Sequence, residues 1–261
     1  MGVSVNSSRL AISAVLFAVS TVNTAAERMS IPAGEYRPLF ATAEQAPTVI
    51  KPFWLDRLPV TNAEFAAFVA KQPRWQRGRI APLFADSRYL QAWQSDGAGR
   101  YAPRPEEAQA PVTHVSWFAA KAFCQARGGR LPTTAEWEYV AATGSLDPQL
   151  DEKRILSWYS ATTPAIAPAV GQREPNRYGV QDMHGLIWEW TQDFSSSLTT
   201  GESRGDSAVD NQFFCGSAAA GSADPSQYAA FMRYALRSSL QGHYTVINLG
   251  FRCAYDNEEA R

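Results

Sequence analysis

The 261-residue chain is poor in the residues by which many functions show themselves: three cysteines, three histidines, and a formal net charge of −1 from 24 basic and 25 acidic side chains. A balance that close to neutral leaves no sustained basic surface to neutralise phosphates or anionic lipid, which argues against nucleic acid as a partner. The histidines, His114, His184 and His243, form no i, i+4 pair on a helix, and none stands at a short metal-ligand spacing from Cys215, so no local zinc motif is present. Beyond the first 26 residues no apolar run approaches the roughly 20 residues of a membrane-spanning helix. Internal repeats and low-complexity tracts are also missing.

What the chain does have begins at its start. Arg9 precedes an apolar run from Leu10 to about Val22, and small residues follow at Thr24-Ala25-Ala26. This is the pattern of a signal peptide over residues 1–26 cleaved near Ala26, since the run is too short to anchor the chain in a bilayer. No cysteine stands there to take a lipid. The expectation is a mature domain, 27–261, in an oxidising compartment such as a periplasm, with no membrane association and with disulfides permitted.

Helix starts are written clearly. Thr61-Asn62-Ala63-Glu64 and Thr133-Thr134-Ala135-Glu136 are capping boxes, in which the threonine hydroxyl accepts from the backbone N–H three residues on and the glutamate reaches back. Ser116 opens a third helix, "WFAAKAFCQARGG", and Gly128-Gly129 supplies its left-handed stop. "MSIPAGEYRPLF" predicts a strand broken at Pro32-Ala33-Gly34, and "TVIKPFWLDRLPV" a second strand. The stretch from Lys71 to Pro111 has no clean period, yet its Trp75, Phe84, Tyr89, Trp93 and Tyr101 suit a long ordered loop. A second irregular region runs from Ser195 to Asp210.

Several motifs in order, "PVTHVSWFAAKAFCQARGGRLPTTAEWEYVAA", "PNRYGVQDMHGLIWEWTQDF", "RYALRSSL" and "NLGFRCAYD", resemble the formylglycine-generating enzyme, or sulfatase-modifying factor, superfamily. The resemblance implies a single-domain, loop-rich α+β fold, a variant of the C-type lectin fold. It also implies that Cys124 and Cys253 pair, leaving Cys215. Formylglycine-generating enzymes hold Cu(I) between two cysteines; here Cys215 falls at the first position and Ala229 at the second, while Asp210-Asn211-Gln212 replaces the preceding glycine-glycine-serine. One soft thiolate makes a weak copper site. The turn "HGLIWEW" has Leu186 where asparagine is usual, so Glu189 and nearby carbonyls offer at most one weak calcium site, since calcium wants six to eight oxygens.

By the same resemblance Cys215, Trp190, Arg233 and His243 are the candidate catalytic residues, with Arg237, Tyr228 and His184 beside the substrate. His114 reads as a packing residue. Trp190 and Glu189 also suit a purely structural role, and the two arginines equally suit buried ion pairs. Three functions follow. The first is an exported oxidative or maturation factor, dependent on copper or iron, acting on an exported protein or small molecule; the superfamily includes a periplasmic oxidase of pyoverdine maturation and accessory proteins of copper nitrite reductases. The second is a non-catalytic binding module, because this scaffold tolerates wide loop variation. The third is genuine sulfatase activation by Cys215 alone.

Overall fold

The structure, a computed structural model, describes residues 27–38, 46–196 and 225–257. The expected signal peptide, Cys215 and most of the second irregular region lie outside the described residues.

Each expected strand is two. Pro32-Ala33 separates β1 (Arg28–Ile31) from β2 (Gly34–Tyr36), and Lys51-Pro52 separates β3 (Thr48–Ile50) from β4 (Phe53–Asp56), so the second reading is corrected. Proline lacks the N–H that a continuing ladder would need. β2 and β3 pair antiparallel. β4 is the centre of a three-stranded antiparallel sheet between β1 and β9 (Ala254–Asp256). In its register Ile31 faces Phe53 and Leu55 faces Ala254, and all four are buried, while Trp54 points outward at 40% exposure. That alternation is the period-2 pattern of a half-buried sheet.

The capped helices form as their sequences require. In α1 (Asn62–Lys71) and α3 (Thr134–Thr143) the threonine cap accepts from the N3 amide and the N3 glutamate accepts from the cap amide. Ser116 accepts from the Ala119 amide at the start of α2 (Trp117–Ala126). At its end Gly128 takes φ +74°, and the Gly129 N–H donates to the Cys124 carbonyl. Two further helices carried no expectation: α4 (Pro148–Ser160), capped by Asp147, and α5 (Pro225–Ser239). The long stretch between α1 and α2 is an ordered loop with a minimal hairpin of β5 (Gln94–Ser95) and β6 (Tyr101–Ala102). Its buried Tyr89 donates to the Trp75 carbonyl and its buried Trp93 to Asn62, which is how aromatics hold a loop.

Two apolar clusters result. One lies around α1 and α2, where Phe65, Phe123 and Phe251 pack within 6.1 Å of one another. The other lies between the three-stranded sheet and α3, around Ile31, Leu55, Trp137 and Val180. A disulfide from Cys124, late in α2, to Cys253, just before β9, closes a sequence separation of 129 residues. A loop that long is worth about 5 kcal/mol in the chain-entropy treatment. A parallel pair, β7 (Trp188–Glu189) with β8 (Leu249–Gly250), brings the tryptophan-rich turn beside the C-terminal segment. No helix among the described residues is long and apolar enough to cross a membrane.

Candidate functional site

α3 carries Glu138 into the interior, 2% exposed, where a lone carboxylate would be costly. α5 answers it. Arg233 and Arg237 stand four residues apart, hence on one helix face, and both reach the same carboxylate. Arg233 donates from Nε to Oε1 at 2.9 Å and from Nη2 to Oε2 at 2.7 Å, and Arg237 donates from Nη1 to Oε1 at 2.6 Å. Both guanidiniums also lie near the Trp137 ring, at 5.7 and 4.9 Å from its centroid. Burial alone would raise the Glu138 carboxyl, but the charges and hydrogen bonds of the two arginines overrule it and hold the group at about 2. Two cations against one anion leave this hydrogen-bonded cluster with one positive charge.

His184, half-buried, meets Trp137 edge-on with centroids 5.5 Å apart. Burial first, and the Arg233 charge second, push its imidazole down to about 3, so it is neutral at ordinary pH. Close by, the hydroxyls of Tyr36 and Tyr234 share a hydrogen bond of 2.9 Å. Burial and the Glu138 charge raise Tyr36, which keeps its proton.

Two cavities meet at His184. One, of about 310 Å³, is lined by Tyr36, Glu138, Ala229 and Arg233; the other, of about 420 Å³, by Asp147, Arg154, Arg173 and Asp182. Ser145, Asp151 and His184 line both. Each volume suits a small molecule. A third space, a slot of about 10 Å³ beside Arg237, is closed by α4: Trp158 and Tyr159 both pack on Trp188 at 4.9 Å, and Tyr159 donates to the Ala229 carbonyl.

The structure thus gathers His184, Arg233 and Arg237, with Glu189 in the wall of the same slot, and places Trp190, His243 and Tyr228 elsewhere. Trp190 lies in the core: it is 0% exposed and its indole N–H donates to the Val115 carbonyl at 2.9 Å. His243 packs edge-on against Tyr244 and lines none of these cavities. Tyr228 is 38% exposed on α5 and stacks with Phe231. Cys215 lies outside the described residues. Glu189, the calcium candidate, is engaged by protein donors. Both its oxygens accept from Arg252, and Oε2 accepts from the Trp137 indole as well, at 2.8 Å. Arg252 uses its remaining N–H groups on the carbonyls of Asp56, Arg57 and Gln181, so the pair is complete without a cation.

Two of the three cysteines are joined, so this chain cannot present two thiolates to copper. Among the described residues no group of three or more histidine, cysteine, aspartate or glutamate side chains converges. What the reading of the sequence missed was Glu138, with Trp137, Tyr36 and Tyr159 around it. One signal was there to find: two arginines at i, i+4 in a helix repel unless an anion lies between them.

Three comparisons with known proteins bear on this geometry. Residues 14–257 match the family described as the sulfatase-modifying factor enzyme 1-like domain. The formylglycine-generating enzyme of Streptomyces coelicolor is 30% identical over 79% of this chain and 79% of its own. Hercynine oxygenase of Mycolicibacterium smegmatis is 34% identical over 54% of this chain but 37% of its own, so the chain spans only about a third of that relative. Among solved structures, the crystal structure of CarF aligns over 90% of this chain and 99% of its own, with a TM-score of 0.51 at 16% identity, a likeness of fold.

Proposed function

The chain belongs to the sulfatase-modifying factor enzyme 1-like family, and from that premise we propose that it is an exported oxidative or maturation factor acting on a small molecule or a partner protein in a periplasm-like space. The observation that carries the reading is the division of sulfur. With Cys124 and Cys253 joined, Cys215 is the one cysteine left for chemistry in a chain whose relatives include enzymes named for formylglycine generation and for hercynine oxygenation. The cavities at His184 are the substrate site in this reading. The surplus positive charge on Arg233 and Arg237 is offset by the carboxylates that line the same cavities, Asp151 and Glu152 in one and Asp147, Asp151, Glu174 and Asp182 in the other, so these walls do not select an anion; the neutral His184 and the Tyr36–Tyr234 pair are hydrogen-bonding groups that need no change of protonation. No step is assigned to copper held by two sulfurs, because the residues do not fit it.

A second reading, a non-catalytic binding module, has its own support: Trp190, Glu189, Arg233 and Arg237 are all engaged in holding the scaffold together. One experiment separates the two. Mature protein supplied with copper or iron is assayed for oxygen consumption with a thiol or a phenol, beside Cys215→Ser. The oxidative reading expects turnover that the variant loses. Equal behaviour of parent and variant, with no tightly held metal in either, leaves only the binding module. Formylglycine in a co-expressed sulfatase peptide would instead support sulfatase activation.

A further inference from the structure

A separate cavity of about 420 Å³ shares no lining residue with those at His184. It lies between the first turns of α2, which present Trp117, Phe118 and Lys121, and the loop after α1, which presents Trp75, Arg79 and Phe84. Its walls are aromatic and continuous. Trp75 meets Phe84 at 5.9 Å, Phe84 meets Phe118 at 5.4 Å, and Phe118 meets Trp117 at 5.4 Å, all edge to face. Phe84 still shows 38% of its surface to solvent, an open apolar face in the middle of this row.

The charges around it have one sign. Arg74, Arg79 and Lys121 line the cavity and no carboxylate does. Lys121 sits 4.7 Å over the Trp117 ring, a contact that holds a cation in place without supplying an acceptor for its N–H groups, while Arg74 lies 5.2 Å over Trp75 and donates to the Gln72 side-chain oxygen at 3.5 Å. None of the three makes an ion pair among the described residues. The contrast is internal, since ten other arginines there are paired with carboxylates. Trp75, 7% exposed, adds an indole N–H with no acceptor among the described residues. Aromatic walls with unanswered donors and a volume in the small-molecule range describe a planar apolar body carrying an anion.

We propose that this cavity binds an anionic aromatic small molecule of the aryl carboxylate class, its ring packed against Phe84 and Phe118 and its carboxylate met by Arg79 and Lys121. The site is independent of the chemistry proposed for Cys215. Calorimetric titration of the mature protein with 2-naphthoate and with its neutral counterpart 2-naphthylmethanol tests it. The acid is expected to bind one per chain, about tenfold tighter than the alcohol. That advantage should shrink with added salt and vanish in the Arg79→Gln/Lys121→Gln double variant. Both residues are peripheral, so the melting temperature should hold, and Phe84→Ala should weaken acid and alcohol alike. Cys215→Ser should bind the acid as the parent does. Equal affinity for acid and alcohol, an undiminished acid affinity in the double variant, or no binding of either compound overturns the proposal.

Discussion

Glu138 holds two arginines from the inside, and the cost of removing it should show that. Breaking a buried ion pair by deleting one partner leaves uncompensated charge and costs about 3–5 kcal/mol. Glu138→Gln is therefore expected to lower the unfolding free energy, read by urea titration, by an amount in that range, whereas an effect under about 1 kcal/mol would mean the arginines are solvated. Two other groups give stability opposing dependences on pH. His184 titrates near 3 when folded and near 6.5 when unfolded, so the unfolded chain binds the proton first and stability falls as pH drops below 6.5. Asp56 is raised by burial from 3.8 to about 6, against the pull of Arg127 and the hydrogen bonds from Cys253 and Tyr255. Its folded state keeps a proton that the unfolded state has lost, so its contribution is present below about 4 and is lost as pH rises through 6. Unfolding midpoints between pH 4 and 6 should separate them: Asp56→Asn leaves stability rising with pH, and His184→Gln leaves it falling. Identical slopes in both variants would contradict the assignment.

Elements whose signals are local were legible in the sequence, and those whose reasons are tertiary were not. The boxes at Thr61 and Thr133 need only four residues each, and both helices start where they say. Thr133→Ala is expected to cost about 1 kcal/mol, measured as a loss of stability with the helix content retained. The Gly128-Gly129 stop was equally plain, and its second glycine has a further reason. A Cβ on Gly129 would stand 2.7 Å from the Ala254 carbonyl oxygen and 2.6 Å from the Tyr255 ring, so Gly129→Ala should push α2 off β9 and lower the unfolding free energy. α4 was not foreseen because its support is distant: Trp158 and Tyr159 pack on Trp188, and only the Asp147-Pro148 start is local. α5 was likewise hidden, since the residue that makes sense of Arg233 and Arg237 lies 95 and 99 positions earlier.

For the molecule as a whole, ordered motifs were enough to give the family and the fold, while the site was only partly readable. His184, Arg233 and Arg237 converge, but Trp190 and Glu189 had a second meaning in the scaffold, as a core ring and as the partner of Arg252. Sequence shows residue types, and burial decides which of two roles a type fills. The disulfide draws the scaffold together around these groups and leaves one sulfur over. Mass mapping of the native protein with a thiol count tests that division directly. The account predicts a peptide linking Cys124 to Cys253 and one free thiol per chain at Cys215; a bond from Cys215 to either of the others would contradict it.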